Sequence, residues 1–309
     1  MRPTLLVNAH GTWLATDIGL ASYVSLFNSP YPAHVAGTAI DLYFDSDEAL
    51  FPFEEGVVME VKWFEVPKLR ADAIDREPLI LVKLGPTLIA KIMHVKPGVS
   101  VGEVLRYGDC LGKLVVSGYM YPWSEKHMHV ELRPVHDRYR ARGAYRIKLL
   151  NPIYVPSTSS VEGVIEHVDK HFVLLRIKRI EGYGPTPLHI DLGSLGIYFV
   201  EGGYPHYGYV ALLGRKVETL ESRDIGFCYA NISKAMDRSM GIEVEGIARF
   251  DGIATYLCRK HLKLVSRSII EGIKEGDEVS LGNPLKFMIT NLLERPSYGR
   301  PQRADVQSR

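Results

Sequence analysis

The most informative run for chemistry is Lys126-His-Met-His-Val-Glu-Leu-Arg133, with two histidines one residue apart followed by a carboxylate and a cation at the same alternation. Side chains alternate along an extended strand, so His127, His129, Glu131 and Arg133 share one face while Met128, Val130 and Leu132 pack on the other. Two imidazoles so placed stand about 6 to 7 Å apart, a spacing at which one binds a metal and its neighbour moves protons. The same pattern is met by two exposed, hydrogen-bonded histidines, and the pair alone leaves both readings open. Two upstream segments add further groups. His34-Val-Ala-Gly-Thr-Ala-Ile-Asp41 sets an imidazole and a carboxylate on either side of a glycine turn, and Ile92-Met-His-Val95 ends a strand on a third imidazole ahead of Lys96-Pro-Gly98. Each segment singly also has a structural reading: a loop histidine with a carboxylate satisfying turn amides, and a strand-end histidine beside a turn.

Taken in chain order, these pieces resemble the lysostaphin-type, LytM-like zinc metallopeptidases. The resemblance covers about residues 32–134 and includes Phe53-Glu-Glu-Gly-Val-Val58, His94-Val-Lys-Pro-Gly-Val-Ser-Val-Gly102, Gly108-Asp-Cys-Leu-Gly-Lys113 and the His-x-His strand. In that family a His-x-x-x-Asp segment and the second histidine of a His-x-His bind one zinc. Carried over, this implies Zn2+ held by His34, Asp41 and His129, with His94 and His127 as the catalytic histidines of an endopeptidase or amidase. Three protein ligands leave a fourth position for water, as catalytic zinc sites do, and zinc brings the pKa of that water towards about 7. His127 is then placed to take the water proton and return it to the leaving amine, and His94 to stabilise the oxyanion. One departure stands out: six residues, not three, separate His34 from Asp41. That wider spacing keeps open an alternative, a catalytically silent metal-binding or polymer-binding module on the same scaffold. The implied partner is a peptide or a peptide-cross-linked polymer, and the small residues Gly37, Thr38 and Ala39 suit an unhindered peptide.

The elements that must position these groups read as mainly β. The 28 glycines and 18 prolines punctuate short apolar segments. Strands are expected at Thr4–Asn8, Thr38–Tyr43, Gly56–Trp63, Leu79–Lys83, Thr87–His94, Leu111–Val116 and Met128–Leu132, and later at Val161–His167, Phe172–Ile177, Gly196–Val200, Tyr207–Leu213 and Ile242–Phe250. Helices are expected over Ile18–Phe27, with Asp17 as N-cap, and over Asn231–Met240, while Thr255–Ile270 fits either state. Asn151-Pro-Ile-Tyr-Val-Pro-Ser-Thr-Ser-Ser160 reads as a linker. The resemblance implies an antiparallel β-roll, the duplicated hybrid motif, within residues 1–156, followed by a second mainly β domain over 157–294 and a flexible tail over 295–309. Val95–Gly102 and Ile273–Gly282 echo one another as glycine turns feeding strands, a hint of related β architecture in the two halves.

Charge narrows the classes. The 309 residues carry 37 basic and 36 acidic side chains, split 17 to 17 before the linker and 20 to 19 after it, so neither half has the basic footprint of a nucleic-acid binder. Asp41–Glu60 holds seven acids and no base, and Arg133–Lys148 six bases and one acid, which reads as a solvated surface or as mutual pairing. Three scattered cysteines write no disulfide framework. No apolar run reaches the roughly 18 residues of a membrane span, and the first residues lack the pattern of a secretory signal. The expected location is therefore cytoplasmic, against the extracytoplasmic habit of the resembled family. His10, His136, His167, His171, His189, His206 and His261 lack partners at ligand spacing and read as structural, and Tyr31 reads as packing.

Overall fold

Strand follows strand because β-branched and aromatic residues recur in short runs between turn-forming residues. The computed structural model describes residues 3–9, 12–215, 220–234, 242–244 and 248–282. Its first half comprises β1 (Thr4–Ala9), β2 (Thr12–Asp17), β3 (Tyr23–Ser25), the helical turn α1 (Pro32–Val35), β4 (Ala39–Tyr43), β5 (Glu48–Leu50), β6 (Glu55–Glu65) and β7 (Arg76–Lys83). There follow β8 (Leu88–Met93), β9 (Val95–Pro97), β10 (Val104–Arg106), β11 (Cys110–Leu114), β12 (Met128–Pro134) and β13 (Ile147–Leu150). The protein is mainly β, and among the described residues no helix is long and apolar enough to cross a membrane.

Seven of these strands make one antiparallel sheet in the order β10-β6-β7-β8-β12-β4-β3, flanked by the three-stranded sheets β5-β11-β9 and β13-β1-β2. Residues paired across antiparallel strands point to the same face. The register therefore draws a row across the large sheet, Ser25, Asp41, His129, Met93, Leu79 and Lys62, with Glu131, Lys91 and Leu81 in the row beside it. Met128, Val130 and Leu132 occupy the opposite face and are fully buried in the main core.

Beyond residue 155 the main sheet runs, edge to edge, Glu221–Asp224, Tyr229–Lys234, Tyr209–Gly214, Ile197–Tyr204, Gly252–Thr255, His261–Val265, Phe172–Ile177, Glu162–Val168 and Glu278–Ser280. Period-two alternation divides its side chains between two cores. Phe172, Tyr209, Ala211 and Val265 join the core of the first half, whereas Val173, Leu175, Val210 and Leu264 form a second core on the far face. Glu201, flanked by Val200 of the second core, points the other way and accepts hydrogen bonds from Ser25 Oγ at 2.8 Å and Phe27 N at 2.7 Å. The two echoing segments both turn on a glycine with positive φ, Gly102 at 90° and Gly276 at 93°.

Two helix expectations are corrected. Ile18–Phe27 holds turns and strand β3: Asp17 Oδ1 accepts from Gly19 N at 2.7 Å, closing a local turn instead of capping a helix. Val24 then pairs with Leu42, and Tyr23 stacks on Tyr43 with ring centroids 4.4 Å apart, so cross-strand packing outweighs local propensity. Asn231–Lys234 lies in a strand paired with Tyr209–Gly214, and the rest of that expected helix falls outside the described residues. The same holds for the expected tail, for His10 and for the middle of Ile242–Phe250, whose ends are strands. Thr255–Ile270, read as either state, carries the strand His261–Val265.

Burial lifts the Glu201 carboxyl from 4.5 to about 8, against the opposing pull of the hydrogen bonds from Ser25 and Phe27. The folded chain thus holds a proton that the unfolded chain has already released. Stability from this group is complete below about pH 4.5 and declines as pH rises towards about 8. Urea denaturation across that window should show the decline, and Glu201→Gln should flatten it; an unchanged slope in the variant would refute the assignment.

Candidate functional site

The first histidine reaches the site through a chain reversal. Pro32 opens α1 after the extended Tyr31, the turn ends at Ala36, and Gly37 takes φ +67°, a left-handed conformation that glycine adopts without a Cβ penalty. The six residues between His34 and Asp41 are the last residue of α1 (Val35), the reversal Ala36-Gly37-Thr38 and the first two residues of β4, Ala39 and Ile40. The reversal brings the imidazole back over β4, where Asp41 faces His129 of β12 in direct register. Thr38 donates to Ala33 O and Ala39 is fully buried, so these small residues stabilise the reversal and do not open the site to a peptide.

The three side chains converge on a small triangle. His129 Nδ1 lies 3.0 Å from Asp41 Oδ1, His34 Nε2 lies 3.1 Å from His129 Nδ1, and His34 Nε2 lies 3.2 Å from Asp41 Oδ1. All three residues are buried, and together they form a group able to hold a metal ion. Surrounding partners fix how each ring is presented. His34 Nδ1–H donates to Leu26 O at 2.8 Å, which turns Nε2 inward, and His129 turns Nε2 to Glu131 Oε1 at 3.3 Å. A neutral His34 would thus aim a lone pair at a carboxylate oxygen, a contact that calls for a proton or a cation between the two.

His94 and His127 border the same triangle. The His127 ring centroid is 5.1 Å from that of His94, and its Nε2 lies 3.5 Å from Asp41 Oδ2. Its Nδ1–H donates to Glu125 O at 2.8 Å, leaving Nε2 with the lone pair. His94 sits at φ +67°, a sparsely populated conformation for a residue with a side chain. Glu77 holds it there: one carboxylate oxygen accepts from both the His94 backbone N–H and Nδ1, each at 2.7 Å. Ser117 Oγ donates to the other oxygen.

Electrostatics separate the rings. Burial pushes His127 down to about 4, overriding the attraction of Asp41, so the ring is neutral with its lone pair on Nε2. For His129 burial also acts downward, but hydrogen bonds and charge from Asp41 and Glu131 prevail and lift it to about 9. Burial alone would raise Asp41; the imidazoles of His127, His34 and His129 outweigh it and hold the carboxyl well below the usual range. Glu131 is held low in the same way, with Lys91 Nζ donating at 2.7 Å and Arg133 at 2.5 Å. Arg133 is wholly buried and also donates to Asp137 O and Arg142 O, which makes it a structural cation behind the site.

All five sequence-named residues, His34, Asp41, His94, His127 and His129, line one cavity of about 450 Å³. Its other walls include Phe64, Leu79, Met93 and Tyr119, of which Met93 and Leu79 continue the register row of Asp41 and His129. Tyr31 also lines it, with its hydroxyl donating to Tyr119 O at 2.9 Å. Of the acidic and basic stretches, Glu60 meets Tyr139 Oη at 2.6 Å and Arg138 at 3.8 Å, a partial pairing near the cavity rim. Sequence reading missed Glu77, a single acid between Arg76 and Pro78 with no spacing to mark it. It also missed the carbonyls of Leu26 and Glu125, which no side-chain pattern announces.

A family model described as "Domain of unknown function (DUF8155) N-terminal domain" matches residues 16–149. That stretch of the chain is similar to DUF8155. The DUF8155-like stretch contains all five site residues together with Glu77, Glu125 and Glu131. No curated protein matches the chain, and no solved structure does.

Replacing Glu77 by Ala removes the acceptor for two donors of a residue in a strained conformation. It should lower stability by about 3 kcal/mol, the scale of losing charge-assisted hydrogen bonds at a buried site. Urea denaturation measures this, and a loss below about 1 kcal/mol would show that His94 is held by other means.

Proposed function

We propose that this protein is a zinc-dependent hydrolase of amide bonds, an endopeptidase or amidase, with His34, Asp41 and His129 as the metal ligands. The observation that carries the reading is the triangle of 3.0, 3.1 and 3.2 Å between ligand atoms whose tautomers are set from behind. Tetrahedral zinc with bonds of about 2.0 Å to nitrogen and oxygen has edges of about 3.3 Å between its ligands. Two imidazoles and a carboxylate form a ligand set used by catalytic zinc, and the Glu131 carboxylate behind His129 is the outer-shell partner such ligands usually have. Bound zinc would supply Lewis acidity, acidifying a water molecule and polarising the amide carbonyl.

The chain's own residues then divide the proton work. His127, neutral and with Nε2 free, accepts the proton of the attacking water and returns it to the leaving nitrogen. His94, its Nδ1 held by the Glu77 carboxylate and its ring 5.7 Å from that of His129, is the side chain placed beside the developing oxyanion. The apolar wall residues Phe64, Leu79, Met93 and Tyr119 suit a substrate that carries an apolar side chain beside the amide, not glycine alone.

Elemental analysis after dialysis against zinc should give one zinc per chain in the wild type and none in His129→Ala. With zinc loaded, glycine-rich, murein-derived and apolar peptides should reveal turnover, and His127→Ala should keep the metal while kcat falls by about 10²–10⁴-fold. A wild type that takes up no zinc sinks the metal reading. Zinc uptake without turnover, with His127→Ala indistinguishable from wild type, establishes a metal-binding or polymer-binding module instead.

A further inference from the structure

Two site imidazoles are oriented by backbone carbonyls, His34 by Leu26 O and His127 by Glu125 O. Both carbonyls lie in irregular segments of the first half, and both segments are gripped by residues more than seventy positions further along the chain.

The grip on the segment before His127 is ionic. Arg259 donates from its two terminal nitrogens to the Glu125 carboxylate at 2.7 and 3.0 Å. Lys263 donates to Glu125 Oε2 at 2.8 Å and to Trp123 O at 2.6 Å, and Trp123 Nε1 donates to Tyr207 Oη at 3.1 Å. Lys263 is fully buried, and the Arg259 guanidinium lies 4.3 Å over the Tyr23 ring. The grip on Ser25–Ser29 is polar. Glu201 takes the Ser25 hydroxyl and the Phe27 N–H, while the Tyr209 hydroxyl reaches Ser29 O at 2.7 Å and also Phe27 O. At Gly202 a Cβ would come within 2.7 Å of Phe27 O, so the two backbones are in close contact.

Burying two cations against one carboxylate is a poor way to gain stability, because desolvation offsets most of the attraction and apolar residues would serve as well. Such groups are better explained by what they orient. We propose that the half of the chain beyond residue 156 is a positioning element for the site. Arg259 and Lys263, acting through Glu125, set the His127 ring with Nδ1–H to the carbonyl and Nε2 to the cavity; Glu201 and Tyr209, acting through Ser25–Ser29, set His34 with Nε2 towards Asp41. The effect on turnover rests on the hydrolase reading above; the effect on ring orientation does not.

The test uses the full-length chain with 15N-labelled histidine and long-range 1H–15N correlation, which reports the tautomer of each ring. Wild-type His127 should appear as a single Nδ1–H tautomer. In Lys263→Met the two His127 nitrogen shifts should converge as tautomers mix, kcat should fall on the order of 10²-fold with KM little changed, and Lys263→Arg should restore both. Zinc stoichiometry should stay at that of the wild type, since no ligand is altered. If Lys263→Met does not fold, Arg259→Lys keeps the charge, breaks the two-pronged contact and is read in the same way. Tyr209→Phe should weaken zinc binding about tenfold, as loss of an outer-shell partner does. A folded Lys263→Met or Arg259→Lys with the wild-type His127 tautomer overturns the proposal, whatever its stability. A tautomer change in a protein that never turns over substrate upholds the positioning role and sinks the hydrolase reading alone.

Discussion

Everything at the site is arranged around one buried carboxylate. Asp41 is buried on β4, one strand in from the edge of the large sheet, and an ionised group without partners there would cost several kcal/mol. Three imidazoles meet it, from α1, from the residue preceding β12 and from β12 itself. The arrangement constrains far more than three rings. His34 arrives only through the reversal at Gly37, His129 only through strict register between β4 and β12, and His127 only if the segment before β12 ends where it does. A one-residue slip of β12 would turn Met128 or Val130 towards Asp41 and expel His129 into the apolar core.

The charges behind this centre form a graded sequence. Glu131 receives His129 as well as Lys91 and Arg133, so the acid that orients a site imidazole is itself neutralised by two cations, of which Lys91 also lines the cavity. Glu77 does the same for His94, with a serine hydroxyl in place of the cations. Each imidazole thereby has one committed nitrogen and one directed at the cavity or the triangle, and the commitments differ: a carbonyl for His34 and His127, a carboxylate for His94 and His129. Carboxylate partners stabilise a ring that bears or faces positive charge, whereas carbonyl partners fix a tautomer without adding charge.

Much of this was legible in the chain because strand alternation is a rigid rule. His-x-His followed by Glu and Arg places four polar groups on one face, and His129, Glu131 and Arg133 do share that face with Asp41 and Met93. The widened His34–Asp41 spacing departs from the resembled family's pattern, and in the structure it holds the end of α1, the reversal at Gly37 and the start of β4. Less visible were groups whose role depends on distant contacts. Glu77 and Glu201 are single acids in otherwise apolar strands, and neither has a local signature of its partner. Tyr23-Val-Ser25 was misread as helical because its determinants, Leu42, Tyr43 and the Val24–Leu257 bridge, come from elsewhere in the chain. Among the described residues, the other histidines do not line the cavity. His189 bonds Ser157 and His261 bonds Glu166, while His206 packs between Trp123 and Tyr207.

The shared core has a consequence in time. Met128 and Val130 are buried together with Phe172, Tyr209, Leu257 and Val265, and Glu125 meets its two cations only at positions 259 and 263. A ribosome adding about 5–20 residues per second therefore delivers Lys263 roughly 7 to 27 seconds after His129. During that interval the nascent chain already holds every group that lines the triangle but lacks the side chains that aim two of them. The geometry of the site is thus a late product of synthesis, completed only when most of the chain has emerged.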